Sequence, residues 1–514
     1  MARRTFVYGA AILLGANLLN RLLGFAYQYL IMINIGGEAY GLFNMVFPMY
    51  MMALVVTTAG IPLAIAKMVS EEVSLGRISN AQSIFRLALW LLSISGAFVS
   101  ISLYFLSPYI AHKIFSDPRV LNVFLICTPA IFIVSVSSVF RGYFQGLQNM
   151  VPTAVSQICE QIIRVAVGYA AALRLLNYGV EWAAAGLALG MLAGEFVGLI
   201  AIIIQYWRAK LKVTRDNQAR TFSTRQILIR LWKLASPVTV GRLLATGLSS
   251  LDAIIIPLRL QVAGYSAREA VTLFGQLGGS AFTLLTFPSV FTFALATSLV
   301  PAISEATVRR QLNVVRARSA EAIRLTILIG IPCLIILFYF ARPLTAFFKS
   351  SEIAPILRVL AFGGIFSYVQ QTTTGILQGI GKVHLPVVHS IIGAVIRIPL
   401  LIYLTGLPHW GLRGTAWAYA FGYFIMAVLN IAAISRYTGM PLDLQRFVLQ
   451  PVFGGVGMLL VFQFLDPFFS SHPLGYPLEF LVGIVVYGTI LLFNGGVTFA
   501  DLRRLPWIGK FLPP

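Results

Sequence analysis

Long apolar stretches constrain this chain more than any other feature of its sequence. About fourteen segments of roughly twenty or more mostly apolar residues recur along it, each long enough to cross the ~30 Å hydrocarbon core of a bilayer as a helix. Lipid offers backbone groups no partner, so such segments must be helices or closed barrels, and no alternating strand pattern is present. We therefore predict an all-α polytopic membrane protein. The approximate segments are 6–35, 43–66, 84–106, 119–141, 152–176, 183–206, 234–260, 271–300, 320–340, 353–380, 385–405, 412–434, 447–465 and 475–497.

Composition supports this class and excludes others. Hydrophobic residues make up 58% of the chain and charged residues only 11%, whereas soluble domains average about 25% charged residues. Cys127, Cys159 and Cys333 lie in apolar segments without CxxC spacing, which excludes a disulfide framework or a zinc site and predicts packing roles. No small-residue cleavage site follows the first apolar segment, so we expect a retained first helix rather than a signal peptide.

The net charge of +21 is distributed as a topology signal. If the N-terminus is cytoplasmic and the segments alternate in direction, most Lys and Arg residues fall in cytoplasmic loops, as the positive-inside rule requires. We therefore predict a multi-pass protein of the bacterial cytoplasmic membrane with both termini cytoplasmic. Membrane lipid headgroups, rather than nucleic acid, are the expected partners of the basic loops.

The sequence also repeats itself at an offset of roughly 233–239 residues, and two tandem copies of one membrane unit are typical of transporters that bind cargo at the repeat interface. The matching pairs are Gly60-Ile-Pro62 with Leu299-Val-Pro301, Ile84-Phe-Arg86 with Ala322-Ile-Arg324, Gln145-Gly146 with Gln378-Gly379, and Ile163-Arg164 with Ile396-Arg397.

The repeat predicts the domain organisation. We expect an N-terminal six-helix lobe at 1–206, a basic cytoplasmic linker at 207–233 and a second six-helix lobe at 234–436. Residues 437–514 would add two transmembrane helices and a cytoplasmic tail. Because six is an even number, the two lobes are expected to be parallel repeats, and we expect the protein to function as a monomer.

Charged residues inside the predicted spans are the candidate site. A charge at the bilayer centre costs at least ~2.5–3.5 kcal/mol, so each should face a partner or a hydrated cavity. Because guanidinium groups bind phosphate through bidentate hydrogen bonds, a cavity lined by arginines suits an anionic cargo. The predicted substrate-binding residues are Arg21, Arg164, Arg242 and Arg397, with the polar companions Asn17, Gln28, Gln161, Gln371 and Gln378.

The buried acids leave several interpretations open. Glu160, Glu195 and Asp252 are candidate sites for a coupling ion, Na⁺ or H⁺. Glu160 and Arg164 are four residues apart, so they also fit a structural intrahelical pair, and Arg21 also fits a residue that extends to the headgroups. No nucleotide-binding loop of Walker type occurs, and no cofactor or metal is predicted.

Several motifs resemble a known superfamily. They are Asn20-Arg-Leu-Leu-Gly-Phe25, Leu285-Thr-Phe-Pro-Ser289, Ala296-Thr-Ser-Leu-Val-Pro-Ala302 and Thr374-Gly-Ile-Leu-Gln-Gly-Ile-Gly-Lys382. Together they resemble the polysaccharide biosynthesis and export branch (stage V sporulation protein B-like) of the multidrug/oligosaccharidyl-lipid/polysaccharide exporter superfamily, which is related to lipid II flippases. This resemblance implies two V-shaped helix bundles around a central cavity and export of undecaprenyl-linked sugars. Tyr27 and Thr283 stand where lipid II flippases carry arginines, so the cargo is left open.

The sequence thus favours a non-enzymatic flippase whose partner is a polyprenyl-diphosphate-linked sugar. The alternative is a cation-coupled multidrug antiporter of the same superfamily, for which acids rather than arginines should dominate the lining. A membrane-embedded glycosyl transferase is disfavoured, because the external loops are short and the five histidines are scattered.

Overall fold

A computed structural model describes residues 2–58, 60–210, 223–441, 443–469 and 475–497. All regular secondary structure in these ranges is helical, which confirms the predicted all-α class. Twelve helices in the described part are long and apolar enough to cross a membrane. Two further helices, α1 (Ala2–Asn34) and α6 (Val151–Leu175), are 33 and 25 residues long but are not among the twelve, so the count of fourteen spans stays a prediction.

The chain divides into two compact units, Met1–Ser280 and Ala281–Pro514. The other helices of the first unit are α2 (Gly37–Thr58), α3 (Ile61–Ser74), α4 (Ile78–Lys113), α5 (Leu121–Gly146), α7 (Val180–Lys210), α8 (Thr224–Val262) and α9 (Ala267–Gln276). The second unit contains α10 (Thr283–Thr286), α11 (Ser289–Val308), α12 (Leu312–Tyr339), α13 (Ala341–Phe347), α14 (Ala354–Gly379), α15 (His384–Thr405), α16 (Gly411–Thr438), α17 (Gln450–Phe469) and α18 (Gly475–Phe493).

The lobes predicted from the repeat, 1–206 and 234–436, stay a prediction. Of the predicted linker, residues 211–222 lie outside the described residues, and so does 498–514 in the predicted cytoplasmic tail.

Contacts with α2 and with Gly60 explain why α8 and α9 belong to the first unit. Towards the middle of α8, Thr239 Oγ1 accepts a 2.9 Å hydrogen bond from the backbone N–H of Gly60. At the start of α9, Arg268 Nε donates to Glu38 of α2 at 2.9 Å, and Arg119 donates to the other oxygen of Glu38 at 2.7 Å. One carboxylate therefore joins α2 to both α9 and the segment that precedes α5.

The first residues of α9 form a capping box. Ser266 Oγ accepts from the backbone N–H of Glu269, and the Glu269 carboxylate accepts from the Ser266 N–H and hydroxyl at 2.9 and 2.8 Å. These hydrogen bonds lower the pKa of Glu269 below its ordinary value, and the bond from the Ser266 backbone N–H has the largest effect.

Two predicted spans are interrupted. The segment 43–66 divides into α2 and α3, with Gly60 directly before α3 and Pro62 in the first turn of α3, where proline lacks only an N–H that would be unbonded anyway. A side chain at Gly60 would meet the carbonyl oxygen of Ala235 at 2.5 Å, so this approach of α8 requires glycine. The segment 271–300 likewise divides into α9, a π-helical turn (Leu277–Phe282), α10 and α11, with the break before α11 at Pro288.

Aromatic side chains form much of the core in each unit. In the first, Phe85 of α4 stacks on Tyr206 of α7 at 4.9 Å between ring centroids and contacts Tyr143 of α5 at 4.8 Å. In the second, Phe462 of α17 is fully buried and packs edge-on against Phe340 at 4.9 Å. Ring geometries of this kind stabilise helix packing beyond the area they bury.

The repeat is visible in helix geometry. Arg164 lies thirteen residues after Val151, the first residue of α6, and Arg397 lies thirteen residues after His384, the first residue of α15. Each of these helices is followed by the helix it packs against, α7 and α16 respectively. The two arginines therefore occupy equivalent places in two helical hairpins.

A stripe of glycines sets the distance between α6 and α7. Gly186, Gly190, Gly194 and Gly198 recur every four residues and so lie on one face of α7. A Cβ atom at Gly190 would lie 2.2 Å from the Cα of Gly168, and one at Gly194 would lie 2.7 Å from a carbonyl oxygen of α6. The backbones of the two helices are therefore in direct contact, as is common where small residues line membrane helix interfaces.

Replacing Gly190 with alanine should separate α6 from α7. We expect Gly190→Ala to lower the free energy of unfolding by about 1–3 kcal/mol, the usual cost of overpacking, as measured by thermal unfolding in detergent. Gly488→Ala is the matched control, because nothing lies within 4 Å of its Cβ position. Equal stability of the two variants would contradict direct backbone contact.

Candidate functional site

Four charged side chains from three helices form a network in the first unit. Arg164 Nη2 donates to Glu160 Oε1 at 2.5 Å and to Glu195 Oε1 at 2.8 Å. Arg141 Nη2 of α5 donates to Glu160 Oε2 at 2.7 Å. The ion pair that the four-residue spacing of Glu160 and Arg164 allows is therefore present, and it belongs to a larger group. Two arginines and two glutamates make this group electrically neutral.

Both glutamates of the network are buried, so their pairing with arginines matters for stability. Glu160 and Glu195 are only 9% and 7% exposed. Buried carboxylates lose their hydration, and only partners with good geometry offset that loss. The glycine face of α7 allows this, because Glu195 follows Gly194, whose backbone lies against α6. Local backbone packing thus brings a glutamate of one helix to an arginine of the next.

Arg141 is a member of the network that sequence reasoning missed. Arg141 is the last residue of the predicted segment 119–141 and was not counted among the charged residues inside the spans, but α5 continues to Gly146. Phe140, Tyr143 and Phe144 around it are buried, and they were the signal that the helix goes on past the predicted end of the span.

The equivalent arginine of the second unit has a different environment. Arg397 is buried, at 8% exposure, and its guanidinium carbon lies 4.5 Å from the ring centroid of Tyr419 on α16. Gly393 stands four residues before it, where the first copy has Glu160. A guanidinium over an aromatic face is stabilised by a cation–π interaction. The equivalent arginines of the two copies therefore have different neighbours, with two glutamates beside Arg164 and an aromatic ring beside Arg397.

Arg21 and Arg242, in contrast, are exposed, and so is Asn17, one turn before Arg21 on α1. Around Arg242 the surface of α8 is open, because nothing lies within 4 Å of the Cβ positions of Gly241 and Gly247. The neighbouring Thr246 hydroxyl donates to the backbone carbonyl of Arg242 at 2.9 Å. Arg242 lies within 238–262, which is long and apolar enough to cross a membrane, and an exposed arginine there requires water, a headgroup or a ligand around it.

The predicted glutamines divide between structural and exposed positions. Gln28 Nε2 donates to the Tyr40 hydroxyl at 2.5 Å, and Gln371 Oε1 accepts from Thr292 at 2.6 Å, so both tie helices together. Gln161 accepts a long 3.4 Å bond from Arg164, whereas Gln378 is exposed. Among the predicted residues, the structure thus brings together Glu160, Gln161, Arg164 and Glu195.

A buried polar cluster in the second unit was also missed. His389 Nδ1 of α15 donates to Asn430 Oδ1 of α16 at 2.7 Å, and Asn430 Nδ2 donates to Thr373 Oγ1 of α14 at 3.0 Å. The even scatter of histidines along the sequence gave no signal for it, because these three residues are distant in the chain.

The acids within spans also number more than the sequence analysis counted. Asp252 of α8 is buried at 7% exposure, as expected of a residue in a span. Glu479 of α18 is a fourth acid, fully buried, within the predicted span 475–497. Glu479 is therefore an acid inside a span that sequence reasoning missed. In the described part of the chain, no cluster of three or more His, Cys, Asp or Glu residues is arranged to hold a metal ion.

Comparison with known proteins gives consistent matches. Residues 6–307 match the family described as "Polysaccharide biosynthesis protein", and residues 277–403 match the MatE family. Stage V sporulation protein B of Bacillus subtilis (strain 168) is 31% identical over 517 residues, covering 100% of both chains. Lipid II flippase MurJ of the same organism is 26% identical over 540 residues, covering 98% of this chain and 97% of the relative.

Solved structures share the fold. A structure of lipid II flippase MurJ in an inward closed conformation superposes with a TM-score of 0.72 at 17% identity, covering 93% of this chain and 98% of that one. An inward-facing multidrug resistance transporter of the MATE family and the MOP superfamily gives 0.65 at 16% identity, covering 82% and 94%.

The charged network should be sensitive to loss of one carboxylate. Glu160→Gln leaves Arg141 and Arg164 without a charged partner on α6, so we expect the free energy of unfolding to fall by about 3–5 kcal/mol. Glu305→Gln is the control, because Glu305 pairs with Arg309 at 2.8 Å on an exposed surface, where a pair contributes less than about 1 kcal/mol. Chemical or thermal unfolding in detergent measures both; similar losses would refute a buried network.

Proposed function

The chain belongs to the polysaccharide biosynthesis protein family, and from that premise we propose that it is a flippase for a lipid-linked sugar. The resemblance seen in the sequence motifs is thereby confirmed: this is a multi-pass membrane transporter of the MOP superfamily and not an enzyme. The proposed cargo is an undecaprenyl-linked oligosaccharide or related cell-envelope precursor, moved from the inner to the outer leaflet of the bacterial cytoplasmic membrane.

The exposure of Arg21 and Arg242 carries this proposal. Arg164 is half-buried and Arg397 is buried, whereas the side chains of Arg21 on α1 and Arg242 on α8 are exposed. A diphosphate headgroup satisfies such groups by charge-assisted, bidentate hydrogen bonds. The polyprenyl tail would stay in lipid while the headgroup crosses by alternating access.

The relatives support a lipid-linked cargo without naming it. One full-length relative is a lipid II flippase by name, and another is a sporulation protein. Tyr27 stands where lipid II flippases carry an arginine, and its hydroxyl lies against α6, 2.2 Å from where a Cβ of Gly168 would be. This position therefore serves packing here, and we propose that the headgroup is held by a smaller set of arginines.

Transport against a gradient needs an energy source, for which we propose a coupling ion, Na⁺ or H⁺. The candidate acids are Glu160, Glu195 and Asp252, all three of which are buried. We further propose the orientation that the positive-inside rule gives, with both termini cytoplasmic.

A cation-coupled multidrug antiporter is the second candidate. The MatE match at 277–403 and the fold shared with MATE transporters favour it. The arginine-bonded state of Glu160 and Glu195 weakens it, because a cationic drug would have to displace those arginines.

Reconstituted transport tests the proposal. Liposomes containing the protein and a fluorescent polyprenyl-diphosphate-sugar lipid are treated with a reductant that quenches only the outer leaflet. We expect wild type to expose lipid from the protected leaflet under an imposed ion gradient. Arg242→Ala and Arg21→Ala should slow this about ten- to hundredfold, the equivalent of losing ~1.5–3 kcal/mol of charged hydrogen bonding.

Arg309→Ala is the matched control, since Arg309 lies beyond the end of α11 and pairs with Glu305. Transport at the wild-type rate in the Arg242 and Arg21 variants would remove these residues from the site. Export of a cationic dye without lipid movement would favour the antiporter instead.

A further inference from the structure

The last two helices form an antiparallel hairpin whose register the side chains fix. At one end, Gln450 of α17 and Asn494 of α18 exchange hydrogen bonds of 2.8 and 3.1 Å. Further along, Phe462 lies against Gly483, where a Cβ atom would be 2.2 Å from the phenyl ring. Because α17 and α18 run in opposite directions, contacts move forward along one helix as they move back along the other.

This register brings two acids opposite each other. One helical turn beyond Phe462 is Asp466, and one turn before Gly483 is Glu479. Asp466 is half-buried, and Glu479 has 0% exposure. Neither carboxyl oxygen of Glu479 has a hydrogen-bond partner among the residues that the structure describes.

Within the described residues, no positively charged side chain pairs with Glu479. The titratable groups near Glu479 are Asp466 of α17, Tyr339 of α12 and Tyr476 of α18. The Tyr339 hydroxyl donates to the backbone carbonyl of Phe462 at 3.1 Å. No lysine or arginine of the described ranges forms an ion pair with Glu479. The connection 470–474, which carries His472, lies outside those ranges.

The cost of burying charge limits which protonation states this pair of acids can adopt. An ionised carboxylate removed from water without a partner is very costly, and a second carboxylate facing it adds repulsion. Two opposed carboxyl groups resolve this by sharing one proton and titrating as a unit. The site lies about one helical turn from the last residue of α17 and from the first residue of α18.

We propose that Asp466 and Glu479 form a proton-binding site that holds the α17–α18 hairpin closed. With the proton bound, a single negative charge lies between the helices and the carboxyl groups bond to each other. Release of the proton places two carboxylates face to face and favours separation of α17 from α18 at this end. The site is distinct from Glu160, Glu195 and Asp252 and does not depend on the nature of the cargo.

Infrared difference spectroscopy of the purified full-length protein during a pH titration tests this site without a transport assay. We expect wild type to show the C=O stretching band of a protonated carboxylic acid at neutral pH, and the band to disappear at alkaline pH. Glu479→Gln should lose the band and remain folded, because an amide mimics the protonated acid. In Asp466→Asn the band should disappear at lower pH, because the opposing negative charge is gone.

Glu305→Gln, which changes an exposed acid, is the control and should retain the wild-type band. Thermal unfolding of each variant shows whether it is folded. A band that persists in folded Glu479→Gln, or the absence of any such band in wild type at neutral pH, would overturn the proposal. Loss of the wild-type band when Na⁺ replaces K⁺ at constant pH would overturn it in favour of a metal-cation site.

Discussion

The cost of placing charge in a membrane is the constraint on which the rest of this structure depends. The chain meets it in the first unit by bringing Glu195 of α7 to Arg164 of α6, and it does so through backbone contact. Glycines every four residues along α7 remove the side chains that would hold the helices apart. The close approach of α6 and α7 sets the distance between the two helices of this hairpin. The neutral network fixes how α5, α6 and α7 are rotated about their axes. The close packing of α6 against α7 and the pairing of their charges therefore depend on each other.

In the second copy of the repeat, the equivalent arginine has a different electrostatic environment. Arg397 occupies the place of Arg164, but Gly393 replaces Glu160 and the aromatic face of Tyr419 is the contact. A guanidinium on an aromatic ring keeps its full charge, whereas one between two glutamates is neutralised. Duplication thus preserved the position of the arginine while its electrostatic environment diverged.

Much of the fold follows from the sequence, because hydrophobic length and internal repetition act over whole helices. The bounds 354–379 and 384–405 fall within a residue or two of the predicted segments. The breaks at Gly60 and Pro288 did not follow, because a helix interrupted inside the membrane depends on which neighbour approaches it. Arg141 was misplaced for a related reason: a charge at the end of an apolar stretch looks like a loop residue until a partner from another helix is known. The His389–Asn430–Thr373 cluster joins three helices and leaves no local pattern at all.

Exposure and burial divide the charged residues into different physical roles. A half-buried, paired arginine such as Arg164 is held by two glutamates, and moving it would break both ion pairs, so it suits a rigid support better than a transient contact. An exposed arginine such as Arg242 is hydrated in the absence of cargo and exchanges that water for phosphate at little structural cost. A transporter must bind its cargo and then release it, which requires contacts of the second kind. Exposed arginines therefore suit a transient contact better than Arg164 and Arg397 do, although all four arise from the same pattern in the sequence.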